Sequence, residues 1–379
     1  MEFNLWDLTN CYIASVITIL LGYKLNFSSK ILSLLLFHIF LIFIIDAFIP
    51  YSYMPDQNAY FWLANDYRNN ITSSLFGNGS GVGNGYIGSL TVNTASMVLA
   101  YLPLPVFIAS IKSLAYINYY LYLAVFCFLM CALKNPDIKS KMKYFYFLYP
   151  SLIFYTSSGT RDILVLLMML TFLYALLVNL SIGIMLVSLV ILLLIKPQNA
   201  VLLIVSTFFY CILKIKNKLF RRLTVVGFLL IMVALLEVFW GDIYHYRLAM
   251  FYEDTGLPAT YLPTWSLADL YRVFFAPFFF DARNAMQILQ SVENLCMVIV
   301  VYRLCRYFRR VGIEKTRFVV VNFFAMTSAV FYSLVVFNYG SITRYKFPFL
   351  VCWVLILLIL VDKKMAETKI LKIDKVCNS

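Results

Sequence analysis

The chain has 379 residues, of which 63% are hydrophobic and only 13% charged, and its mean hydropathy is +0.84. Soluble domains carry about a quarter charged residues, so the composition excludes an ordinary water-soluble fold and points to a polytopic, all-α membrane protein. The formal net charge of +13 does not indicate a nucleic-acid binder, because the basic residues gather in short segments between apolar runs, as the positive-inside rule requires.

Helices are predicted at 5–24, 31–50, 113–133, 143–158, 162–178, 182–195, 199–213, 222–240, 286–304, 317–337 and 346–362, a single transmembrane domain (1–379) of about eleven spans. The first lacks a basic n-region and a small-residue cleavage site and reads as an uncleaved helix. The pair 182–195 and 199–213 is short enough to be re-entrant instead. The eight cysteines are scattered singly, and the two histidines, His38 and His245, are few for a metal site. No metal or cofactor is expected.

The candidate chemistry follows in chain order. In MPDQNAYFWLAND, residues 54–66, a helix from Pro55 puts Asp56 and Tyr60 on one face; Asp56 is either an isolated carboxylate at the interface or a helix cap. The glycine-rich GNGSGVGNG, residues 77–85, lacks the ending of a phosphate loop and reads as a mobile tether. In YPSLIFYTSSGTRD, residues 149–162, Arg161 and Asp162 stand side by side between two apolar helices. Pro150 is expected to kink the first helix near its start. Asp162 at a helix start suits the N-terminal dipole. The planar fork of Arg161 suits a phosphate, and pairing with Asp162 or lipid headgroups is its ordinary alternative. In IKPQNA, Lys196 and Gln198 flank a helix-breaking Pro197 and line a polar site or form a basic turn. The aromatic-rich stretch 241–285 is predicted as a large external loop holding His245, Arg247 and Arg272, its rings suited to sugar stacking or interface anchoring. In NYGSITRYKFPFL, residues 338–350, Gly340 suggests a tight turn and Pro348 a helix start below Arg344, Tyr345 and Lys346.

Charge sets the predicted sides. Segments 24–30, 134–143, 214–222, 303–317 and 363–375 hold 2, 4, 5, 6 and 5 basic residues, 22 of the 31, and are assigned to the cytoplasm, the last as a C-terminal tail, 363–379. Parity then makes 51–111 an external loop whose apolar stretch 88–111 lies on or dips into the outer face, with the N-terminus outside. The remaining nine cations, Arg161, Lys196, Arg247, Arg272 and Arg344 among them, fall outside or at the outer edge. Cations are rare there, so an anionic ligand is the economical expectation.

Taken in order, these marks resemble the O-antigen (Wzy-type) polysaccharide polymerases, membrane proteins with the C-type glycosyltransferase fold. PDQNAY is similar to that family's early Asp-to-Tyr element. PSLIFYTSSGTRD resembles its Pro-Ser-to-base-acid run, with Arg161 where many relatives have Lys. KPQ resembles its base-Pro pair, with Lys196 where Arg is common, and APFFFDARNAMQILQSVENL and TRYKFP resemble the closing elements. The resemblance implies a metal-independent glycosyltransferase of a bacterial inner membrane that joins repeat units carried on undecaprenyl pyrophosphate at the periplasmic face. For such a reaction the candidate substrate-binding residues are Arg161, Asp162, Lys196, Gln198, Arg247, Arg272, Arg344 and Tyr345, and a base for the incoming hydroxyl is expected at Asp56 first and His245 second. The implied partners are lipid-linked oligosaccharides, membrane lipids, a flippase and a chain-length regulator. A transferase using a monosaccharide lipid phosphate and a lipid-linked oligosaccharide transporter are the alternative readings.

Overall fold

The computed structural model describes residues 4–48, 56–69, 87–255, 265–280, 282, 285–311, 314–336 and 339–377. The glycine-rich segment 77–85 lies outside them. All regular structure among the described residues is helical. In chain order the helices are α1 (Leu5–Lys24), α2 (Ser29–Phe48), α3 (Asp56–Asn69), α4 (Ile87–Tyr101), α5 (Ile111–Ala132), α6 (Pro136–Leu148), α7 (Pro150–Thr156), α8 (Asp162–Tyr174, prolonged by a π-turn, Ala175–Asn179), α9 (Ile182–Ile195), α10 (Pro197–Lys214), α11 (Lys218–Thr255), α12 (Leu267–Phe275), α13 (Ala285–Val311), α14 (Lys315–Val335) and α15 (Tyr339–Cys377). Seven of them are long and apolar enough to cross a membrane: α1, α5, α8 with its π-turn, α10, α13, α14 and α15. Stretches of α2 and α9 are equally apolar but shorter. This is a helical membrane protein.

By packing, the chain divides into two compact units, one of residues 1–132, 143–168 and 190–197, the other of 133–142, 169–189 and 198–379.

The first unit is built around α5, whose residues 113–123 are buried on every side. A helix that is apolar all round has no face to give to water and belongs at a centre. Its aromatic rings interlock with neighbours: Tyr122 stacks on Tyr146 at 4.5 Å, and the Tyr146 hydroxyl donates to the Tyr122 carbonyl at 2.7 Å. α1 carries a polar residue every third position, which places them on one face. Asn4 donates to the Ala109 carbonyl, Asp7 accepts from Ser110 and Ser113, and Asn10 exchanges two 2.8 Å bonds with Phe107. Together they pin the irregular segment 102–110. The same end of the unit holds α3 and α4, which pack on each other with Arg68 donating to the carbonyls of Ala100 and Val106.

The predicted single helix 143–158 is two helices. Pro150 starts α7 and pushes Tyr149 into extended backbone (φ −83°, ψ 106°), so the chain breaks there instead of kinking.

The second unit centres on α15, where every residue from 346 to 362 is buried. Three expectations change here. The predicted loop 241–285 begins as helix, because α11 runs on to Thr255: nothing from 242 to 255 breaks a helix, and Arg247 and Phe251, one turn apart, are both buried. Gly340 is helical and Pro348 lies inside α15, where it removes the N–H that would reach the Arg344 carbonyl. The C-terminal stretch from 363 continues the same helix to Cys377.

Asp362 accepts from the backbone N–H groups of Lys134 (2.8 Å) and Asn135 (2.6 Å), just before α6 begins. Replacing Asp362 with Ala leaves both donors unmet and should destabilise the protein by about 1–3 kcal/mol. Asp362→Asn, which keeps one acceptor oxygen, should cost less. Thermal unfolding of the detergent-solubilised chain, compared across the three proteins, checks the order.

Candidate functional site

The turn 157–161 between α7 and α8 is braced by side chains from three other helices. From α5, Asn118 donates to the carbonyls of both Ser158 and Thr160, each at 2.6 Å. From α3, the Gln57 side-chain oxygen accepts the Gly159 N–H at 2.8 Å. From α2, His38 Nε2 lies 2.9 Å from Thr156 Oγ1 and 3.1 Å from Ser157 Oγ. Thr156 also donates to the Leu152 carbonyl, so its oxygen is left to accept from an Nε2-protonated ring. That tautomer makes Ser157 an acceptor from His38 as well and leaves the serine proton to point elsewhere. Gly159 allows a close approach: a Cβ there would lie 3.2 Å from the Ile111 carbonyl oxygen and 3.3 Å from Leu114 Cβ, tighter than ordinary contact.

Arg161 and Asp162, neighbours in sequence, have different partners. Arg161 Nη1 donates to the carbonyls of Thr91 (2.9 Å) and Ile195 (2.6 Å), and the guanidinium lies 5.8 Å from the centre of the fully buried Tyr60 ring. Asp162 opens α8 and pairs with Lys196 at 3.5 Å, both side chains almost fully buried. The expected contact of Arg161 with Asp162 is thus replaced by an Asp162–Lys196 pair. Pro197 occupies the first turn of α10, as its missing N–H allows.

Beside this turn is a small, partly open cleft lined by Ile42, Gln57, Lys112, Phe154, Ser157 and Gly159 among others. Its lining mixes apolar side chains with a cation, an amide and hydroxyls. Lys112 lies in the first turn of α5, where the helix dipole already favours negative charge; cation and dipole together favour an anion in the cleft. Asp56 opens α3 one residue before Gln57.

Three separate stretches of the sequence therefore meet at one end of the first unit: residues 56–60, 157–162 and 195–196. The other expected residues lie in the second unit. Arg247 donates to Asp269 Oδ2 at 3.3 Å and towards the Ser333 and Leu334 carbonyls, and Arg272, half exposed, lies 3.5 Å from the other Asp269 oxygen. Tyr345 stacks on Tyr332 at 5.3 Å, and the Tyr332 hydroxyl donates to Asn199. Lys346, fully buried, donates to the Ala276 carbonyl (2.9 Å) and Asn294 Oδ1 (2.7 Å). Arg344 is partly buried, and Gln198 and His245 are exposed. His245 lies on α11 beside the ring of Tyr244.

Gln57, Asn118 and His38 are not singled out as site residues by the sequence, and Lys112 stands there only among the nine outer cations. Asn118 and His38 each stand as a polar residue within an apolar run, and Lys112 is a cation at the helix end whose dipole repels it.

Breaking the buried pair from one side should be costly. Asp162→Asn should lower stability by about 3–5 kcal/mol, whereas Asp162→Leu with Lys196→Met should lie near the parent or above it. Unfolding midpoints of Asp162→Leu, Lys196→Met and the double variant, beside Asp162→Asn, test this; additive losses would show that the pair does not act as a unit.

Comparison with protein-family profiles, with curated proteins and with solved structures finds no match to this chain.

Proposed function

We propose that the chain is a membrane glycosyltransferase that polymerises lipid-pyrophosphate-linked oligosaccharide repeat units, with the cleft beside Gly159 as the seat of the departing pyrophosphate. The observation that carries this reading is the convergence of 56–60, 157–162 and 195–196, the same stretches that resemble the polymerases, on a half-apolar cleft holding Lys112. A lipid-linked phosphate has that same division of apolar chain and anionic head.

In this reaction the bond from the sugar C1 to the pyrophosphate oxygen breaks. A hydroxyl of the acceptor repeat unit forms the new bond to C1, its proton passes to a carboxylate and on to water, and lipid pyrophosphate leaves. The leaving group needs no proton, only stabilisation of its growing charge. Lys112, the first turn of α5 and the Ser157 hydroxyl are placed to supply it. Arg161, held by two carbonyls, ties α4 and the end of α9 to the turn and adds positive potential. The Asp162–Lys196 pair fixes the start of α8. Asp56, one residue from the cleft-lining Gln57, is the base in this scheme.

The test uses the purified chain in liposomes with lipid-pyrophosphate repeat units from its host. A gel ladder spaced by one repeat is expected. Lys112→Ala should slow it by about 100- to 1,000-fold, and Asp56→Asn by about 100- to 10,000-fold. Transfer of single sugars, or movement of the lipid-linked glycan across the bilayer without any ladder, would overturn the proposal.

A further inference from the structure

The second unit contains a helix whose apolar face points outward. In α12, Asp269 and Val273 are buried, while Leu267 on the opposite face is 76% exposed and Tyr271 is also exposed. The segment that follows extends this face with Phe279 and Phe280, the latter 84% exposed. The buried side holds the charges instead: Asp269 takes Arg247 at 3.3 Å. A soluble protein would reverse this arrangement.

The depth of α12 follows from its tethers to three candidate spans. Ser291 donates to the Pro277 carbonyl, six residues inside the span Ala285–Phe308, or about 9 Å along its axis. Lys346 reaches the Ala276 carbonyl from four residues inside Ile342–Glu367, about 6 Å. Trp265 Nε1 donates to Ser333 Oγ, two residues from the end of Lys315–Val335, about 3 Å. Two of these tethers come from near the first residues of their spans and one from near the last, so α12 lies towards one end of all three spans, where surface helices bury their apolar face at the headgroup–acyl boundary.

We infer that α12 and the aromatic segment to Phe280 lie in the plane of one leaflet as an interfacial helix, with Leu267, Tyr271 and Phe280 against lipid acyl chains. Two observations favour lipid over a glycan. The rings cover each other's faces: Tyr271 lies on Phe275 (4.3 Å) and Phe278 (5.5 Å), and Phe278 stacks on Phe280 (5.1 Å, 4°). A sugar stacks on an open ring face and needs polar groups to orient it, which Phe and Leu do not provide. Arg272, 43% exposed on the helix flank, also sets a cation beside the apolar face, a pairing that suits a phospholipid headgroup above its acyl chains. The apolar surface continues onto α13 through exposed Ile288, Leu289, Val292 and Leu295. The inference does not depend on the proposed activity.

The test places a photoreactive benzoyl-phenylalanine at Leu267, Tyr271 or Phe280 of the full chain in nanodiscs of phosphatidylethanolamine and phosphatidylglycerol. Ile299, exposed on α13, serves as the lipid-facing reference, and Lys216, exposed between α10 and α11, as the aqueous one. Irradiation should give phospholipid adducts at the α12 positions, by intact mass, as strongly as at Ile299 and well above Lys216. Adducts no stronger than at Lys216, or cross-links to a second copy of the chain in place of lipid, would overturn it. Three positions on one face keep the result readable if any single variant is lost.

Discussion

Lipid offers no hydrogen bonds, so every interruption of a helix inside a membrane must be answered by the protein itself. That constraint organises both units. The backbone of the irregular segment 102–110 is met by Asn4 and Asn10, and that of the turn 157–161 by Asn118 and Gln57. The Ile195 carbonyl at the α9–α10 break is met by Arg161. In the second unit the bend at Ala276–Pro277 is held by Asn294, Ser291 and Lys346, and the end of α14 by Arg247 and Trp265. Most of the polar residues that stand out in an otherwise apolar sequence serve broken backbone.

This division of labour refines the proposed chemistry. A cation already held by carbonyls is rigid, and a rigid charge needs no reorganisation as a leaving group gains charge. Arg161 gains such rigidity by giving up direct reach. Lys112, on a helix start, lines the cleft itself. The proposed transferase thus separates the groups that shape its cleft from those that meet the substrate.

Membrane character and most helices could be read from the sequence, because apolar runs and intervening basic segments are one-dimensional signals. The partner of each charge could not. Arg161 and Asp162 are adjacent in sequence, but successive residues at a helix start point about 100° apart, and the partner of Asp162 comes 34 positions later. Nor did the sequence reveal that residues 241–255 are helical: their mixture of aromatic and polar residues suits a loop, and only the burial of Arg247 and Phe251 along one face identifies a packed helix. Asn118 and Gln57 were missed because an amide gives no sign of which backbone it will serve.

The buried centre of the second unit is its last helix, which has a consequence for biogenesis. Chains are made from the N-terminus, so α10, α13 and α14 emerge before α15 exists to pack against. Until then the surrounding lipid must hold them as separate helices, assembly following insertion. The donors at Lys134 and Asn135 wait 228 and 227 residues for Asp362. A ribosome that stalls shortly before α15 would leave α13 and α14 without the helix they pack on, a clear target for membrane quality control.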